Sequence, residues 1–300
     1  MPQFEGVGGE AGMHFEGGGH GSYAIRAARM ARACHHTTKP YWEKIPMHLY
    51  DSHCHLADPR LRAGVLDRAH AAGLRALVGV AAQARDWPVL WRLARRHPGI
   101  GVAYGLHPWF EHRPEVLARL PAWIERGGAV AVGECGLDFG PGRAAREAQE
   151  ALLLPQLRLA RERGLPVILH AHKSEDVLAM HLGRMPGLRG VVHGFHGSLQ
   201  QADRFVKLGF HLGIGGAITH PRATRLRAVV AALPKECLLL ESDAPDQPPH
   251  GRLAPNEPAF VTDTLAVLAG LHGMPAEAMA AITWQNAASL FRFPESHRDR

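Results

Sequence analysis

The most constraining feature of this chain is a regular alternation of two patterns. From Met47 onward, short apolar runs recur at Met47–Tyr50, Ala76–Val80, Gly101–Gly105, Ala129–Val132, Pro166–Leu169, Gly190–Val192, Phe210–Ile214 and Cys237–Leu240. Their length and β-branched content read as buried strands. Between them lie longer amphipathic stretches such as Ala144–Arg163, where Leu152, Leu153, Gln156, Leu157 and Ala160 follow a helical rhythm. Gly73, Gly128, Gly164 and Gly209 fall where helices should end, the C′ positions that favour glycine. Eight strand–helix pairs within residues 47–300 match the size of a (β/α)8 TIM barrel. A doubly wound sheet is the competing α/β arrangement.

Residues 1–46 carry no such pattern. Gly6 to Gly21 is glycine-rich, no apolar stretch of signal-peptide kind is present, and Glu5, Glu10 and Glu16 argue against a transit peptide. The segment reads as a flexible N-terminal extension, with Met47 as an alternative start, and residues 47–300 as the barrel domain. The apolar fraction of 46% excludes a disordered chain, and no window holds 18 uninterrupted apolar residues, so no membrane span is expected. A net charge of +6 permits a polyanionic partner without demanding one. Cys34, Cys54, Cys135 and Cys237 lie far apart with no CxxC pair, which points to a reducing, cytoplasmic setting.

The chain holds 21 histidines, and several stand where strands end. In Asp51-Ser52-His53-Cys54-His55, residues two apart share a face, so His53 and His55 point one way and Cys54 the other. Two such imidazoles can chelate a divalent ion, or they can be polar loop residues. Glu134, in Val132-Gly133-Glu134-Cys135-Gly136-Leu137-Asp138, follows an apolar run into a loop near a barrel mouth. A carboxylate there must be paired with an arginine or bound to metal. Asp138 is either part of that site or a cap on the next turn. His170 closes the fifth run with His172 on the same face; His193 occupies the equivalent place after the sixth, with His196 in its loop. Asp243 follows the eighth run. Chemistry drawn from five strands favours the barrel over the doubly wound sheet. Four His, one Glu and one Asp, without thiolate, suit Zn²⁺, Mn²⁺ or Mg²⁺, and six ligands suit two ions better than one.

From Met47 to Phe293 the sequence resembles the TatD family of metal-dependent hydrolases. The motifs that carry the resemblance are Asp51–Leu56, Gly105-Leu106-His107-Pro108, Val132–Asp138, Pro166–His170, Gly190–Phe195, Glu241-Ser242-Asp243-Ala244-Pro245 and Asn256-Glu257-Pro258. The resemblance implies His53, His55, Glu134, His170, His193 and Asp243 as metal ligands of a deoxyribonuclease acting on 3′ strand ends. Glu134 would bridge two ions, and Asp243 would orient the attacking water and take its proton. His107 is either a substrate-phosphate contact or bonded within its own turn. The family usually carries Arg two residues after the strand-five His; here His172 stands there, and Lys173 is the neighbouring substitute for a phosphate grip. The expected partner is DNA or a small ester or phosphoester, the expected state a monomer. A metallohydrolase on a carbonyl bond (a D-aminoacyl-tRNA deacylase, lactonase or amidase) is the main alternative, and a non-enzymatic binding protein on the same barrel the second. No Gly-x-Ser-x-Gly elbow supports a serine hydrolase.

Overall fold

All eight apolar runs are strands in the computed structural model, which describes residues 47–292. In chain order the elements are β1 (Leu49–Cys54), α1 (Val65–Ala71), β2 (Leu74–Val80), α2 (Trp87–Arg96), β3 (Ile100–Tyr104), α3 (Pro114–Gly127), β4 (Ala131–Asp138) and α4 (Arg146–Arg163). There follow β5 (Val167–His172), α5 (Glu175–Gly183), β6 (Gly190–Val192), α6 (Leu199–Lys207), β7 (Phe210–Ile214), α7 (Thr224–Ala232), β8 (Leu238–Leu240), α8 (Val261–Leu271) and α9 (Ala276–Leu290). The strands pair in sequence order, all parallel. Beyond β8 the sheet closes on itself. Asp243 N–H donates to His53 O at 2.9 Å, and His55 N–H donates to Ala244 O at 2.8 Å. This is the (β/α)8 barrel. The extension expected at residues 1–46 lies outside the described residues.

Two apolar layers follow from strand alternation. Tyr50, Val78, Ala103, Ala131, Ile168, Val191 and Leu239 fill the barrel interior. Its floor is closed by α9, whose Trp284 ring meets Tyr50 edge-on at 5.5 Å. The alternate residues, among them Leu77, Val132, Leu169 and Leu212, pack outward against the helices. Gly73, Gly128, Gly164 and Gly209 all have positive φ (98°, 61°, 64° and 85°) beside helix C-termini, as the sequence predicts.

Several strands run further than their apolar residues suggest. β4 continues through Asp138, so Glu134 lies inside a strand rather than in a loop. β1 extends to Cys54 and β5 to His172. The glycines and polar residues there look like turns in sequence, but polar side chains among them, such as Glu134 and His170, serve the barrel mouth.

In β1 and β4 the alternation also slips by one residue. Asp51 pairs with Leu77 but Cys54 with Gly79, and Val132 pairs with Val167 but Cys135 with Leu169. Three residues oppose two in each case, a one-residue bulge. Without it, Tyr50 facing inward would put Cys54 inward too; with it, Cys54 packs in the outer layer. His53 and Glu134 are thereby turned into the barrel. In β4 the slip falls beside Gly133, whose φ of 154° and whose missing Cβ, which would stand 2.7 Å from Ile168 O, exclude any other residue.

Candidate metal centre

The inward-turned side chains meet at the C-terminal end of the barrel, beneath a cavity of about 1200 Å3. Glu134 is the hub. Its Oε2 lies 3.4 Å from Nε2 of both His53 and His55. Asp243 Oδ1 stands 3.5 Å from His53 Nε2 and 3.6 Å from His55 Nε2, and the two imidazole nitrogens are 3.3 Å apart. A tetrahedron of ligands at roughly 2.1 Å from an ion has edges of roughly 3.4 Å, so these separations fit one divalent cation.

The other oxygen faces a second group. Glu134 Oε1 is 2.7 Å from His193 Nε2, 3.3 Å from His170 Nδ1 and 3.1 Å from His107 Nε2. One carboxylate thus presents a separate oxygen to each of two histidine clusters. Among the described residues, buried Glu134 Oε2, His53 Nδ1 and His193 Nδ1 have no hydrogen-bond partner, and a cation between the ligands would satisfy the Glu134 oxygen. All six predicted ligands are therefore gathered in one place.

Electrostatics support the same reading. Burial would raise the Glu134 carboxyl, but His193, His107 and His53 outweigh it and hold it well below the usual carboxylate range. Burial and His193 push His53 down to about 4, and burial likewise takes His107 to about 4, leaving both as neutral donors. Burial depresses His193 as well, yet Glu134 overrides it and lifts it to about 10. The carboxylates call for positive charge at that spot.

The outer partners fix which nitrogen each ring offers. His55 Nδ1 is 3.2 Å from Val80 O, which holds the proton on that side and leaves Nε2 free. His170 Nε2 is 3.0 Å from Asp138 Oδ2, leaving Nδ1 toward Glu134. Asp138 also accepts from Trp109 Nε1 at 2.5 Å and from Gly140 N–H at 2.7 Å, so it both serves the site and caps its turn. Asp243, at φ 54°, has its Oδ2 held by the Gln247 amide at 2.6 Å. Asp51 binds backbone instead of the centre: it accepts from His53 N–H at 3.1 Å and from Ser242 N–H at 2.9 Å, tying β1 to the loop after β8.

Other predicted contacts are spread more widely. His107 is both a turn residue, accepting from Trp109 N–H at 3.1 Å, and a neighbour of Glu134. His172 is exposed and lines the cavity, as does His196, whose Nδ1 is bonded to Gly194 O. Lys173 is exposed, with φ 54°, and is not among the lining residues. Cys54 is fully buried in the outer layer, on the face opposite His53 and His55, as the sequence predicts.

Sequence reading missed Trp109, Arg143 and two glutamines. Gln149 pairs with the backbone of Asp138, accepting from its N–H at 2.7 Å and donating to its carbonyl at 2.6 Å. Gln156 does the same for Leu106, at 2.9 and 3.1 Å. Polar residues seven apart on the leucine-lined stripe of α4 were the available signal. Arg143, in a Gly-Pro-Gly-Arg loop, had none.

A sequence model of the family described as TatD related DNase matches residues 50–292. A metal-dependent hydrolase of Escherichia coli K12, YjjV, is 43% identical over 253 residues, covering 81% of this chain and 98% of that protein. Its crystal structure superposes with a TM-score of 0.78. A protein of Escherichia fergusonii named 3′-5′ ssDNA/RNA exonuclease TatD is 33% identical, over 77% of this chain and 92% of its own length. At 19% identity, a TatD family hydrolase from Entamoeba histolytica shares the fold with a TM-score of 0.73, over 82% of this chain. Barrel, ligand arrangement and sequence agree, and the chain belongs to the TatD family of metal-dependent hydrolases.

Proposed function

We propose that this protein is a nuclease that hydrolyses phosphodiester bonds at the 3′ ends of single-stranded DNA with two divalent ions, Zn²⁺, Mn²⁺ or Mg²⁺. The observation that carries the proposal is the division of Glu134 between two histidine clusters, which suits a pair of ions acting on one phosphate. His53, His55 and Asp243 would hold one ion, His170 and His193 the other. Bound there, the ions supply Lewis acidity and acidify water at neutral pH. The relatives named as exonucleases favour nucleic acid over a carbonyl substrate.

The chain's own residues do the rest. Asp243 is held through Oδ2 by Gln247, so Oδ1 faces the centre and can take the proton of the attacking water. His107 keeps its proton on Nε2, because Nδ1 accepts from Trp109 N–H, and that N–H, directed at Glu134 Oε1, can donate to a substrate oxygen instead. His172, at the mouth, is a further substrate contact, with Lys173 outside it. Buried, unpaired Cys54, Cys135 and Cys237 suit a reducing cytoplasmic setting.

The test offers the metal-loaded protein 5′-labelled single-stranded DNA beside a D-aminoacyl-tRNA and a lactone panel. A ladder shortening from the 3′ end, abolished in Asp243→Asn, is the expected result. Hydrolysis of the ester or lactone with DNA intact would assign the site to carbonyl chemistry.

A further inference from the structure

Arg143 stands in the wall of the same cavity, in the loop between β4 and α4. Its guanidinium lies over the Trp109 ring, 4.1 Å from the centroid, which fixes its plane. Its Nε is 3.6 Å from Asp138 Oδ1, too far for a hydrogen bond. Among the described residues nothing accepts a hydrogen bond from this guanidinium, so its donors are unspent while its side chain is only 31% exposed.

The other two arginines of the cavity differ. Arg60 spends its fork on Asp58 and Asp246. Arg85 is 78% exposed and meets only Asp86, at 4.0 Å. Binding through Arg85 would have to order an exposed side chain, whereas Arg143 is already held against Trp109. A planar, preorganised fork with free N–H donors is the geometry that grips a phosphate bidentately.

We propose that Arg143, backed by Trp109, binds a backbone phosphate of the nucleic-acid strand next to the one being cleaved. Asp138 lies between Arg143 and the metal-facing His170, which places this contact one residue away from the centre. His172 stands beside Gly140 of the same loop. Arg143 thus supplies a guanidinium on the side of the mouth where β5 ends in a histidine. The inference rests on the nuclease reading and names a substrate contact within it.

Fluorescence anisotropy of the metal-loaded full chain tests it, using labelled, hydrolysis-resistant phosphorothioate oligothymidylate and oligoadenylate across a salt series. Arg143→Ala should weaken both oligonucleotides about tenfold, and should lower the salt slope by about 0.7, one phosphate's share for a single strand. Arg143→Lys should keep the slope but recover only part of the affinity, since an ammonium cannot stack or fork. Unchanged affinity and slope in Arg143→Ala would overturn this inference alone, and a loss confined to one base would replace the phosphate with a base contact. If the wild-type chain binds neither oligonucleotide, the nuclease reading falls, and this contact with it.

Discussion

Asp138 Oδ2 lies 3.0 Å from Nε2 of His170, on the side of the ring opposite Glu134. The carboxylate holds the imidazole in orientation and keeps its proton away from the metal-facing nitrogen. Asp138→Asn replaces an acceptor-only group by one that can turn a donor toward the ring. Affinity for the ion at His170 and His193 should fall 10- to 100-fold, with the ion at His53 and His55 less affected. Calorimetric metal titration resolves the two steps. Equal weakening of both would mean that Asp138 acts on the barrel as a whole.

Gln149 and Gln156 carry a separate prediction. Each sits fully inside the protein and satisfies both backbone groups of one residue in a site-bearing segment, Asp138 or Leu106. Replacement by Leu keeps the bulk but strands a buried N–H and a buried C=O. Each substitution should cost about 1–3 kcal/mol or more in denaturant unfolding, because an unmet buried polar group forfeits its hydration without recompense. A change within about 0.5 kcal/mol would mean that water or a shifted loop replaces the amide.

The barrel was legible because its strands are apolar runs and its helices end at glycines such as Gly128 and Gly164. The ligands were legible because His170 and His193 sit two residues past inward-facing Ile168 and Val191, on the same face by simple alternation. The bulges in β1 and β4 were not legible. Nothing in Ser52-His53 or Gly133-Glu134 says that three residues will oppose two, since register depends on the partner strand. Glu134 therefore looked like a loop residue. Arg143 escaped for a related reason: its meaning comes from Trp109, which is distant in sequence and adjacent only in the fold.

Metal binding should stabilise the folded chain and do so in a pH-dependent way. An ion present at a thousandfold its dissociation constant adds about 4 kcal/mol, lost on chelation. His53, His55, His170 and His193 must be unprotonated to bind. Glu134 lifts His193 to about 10, so an ion has to displace its proton throughout the neutral range, whereas burial keeps His53, at about 4, free of one until strongly acid pH. Protons at His193 therefore compete with the ion increasingly as pH falls below about 10, and the gap in Tm between metal-loaded and chelated protein should narrow steadily from pH 8 to pH 5. Differential scanning calorimetry over pH 5 to 8 measures this directly. A gap that is constant across the range would mean that the ions are not held by histidines.

Glu134→Gln separates a two-ion centre from a single-ion one. The amide is the same size as the carboxylate, so the buried position should still fill. It has one acceptor oxygen where the carboxylate has two, and it carries no charge. Only one histidine cluster can keep an oxygen ligand, while the other faces an NH2 group. Bound metal, measured by mass spectrometry of the desalted protein, should fall from two ions per chain to one or none, and hydrolysis should fall at least about 100-fold, beyond what a supporting residue costs. Asp243→Asn, which removes a ligand from one cluster only, should spare the ion at His170 and His193. If Glu134→Gln retains two ions, the clusters are bridged by something other than this carboxylate, and Glu134 is left as a buried partner for its histidines.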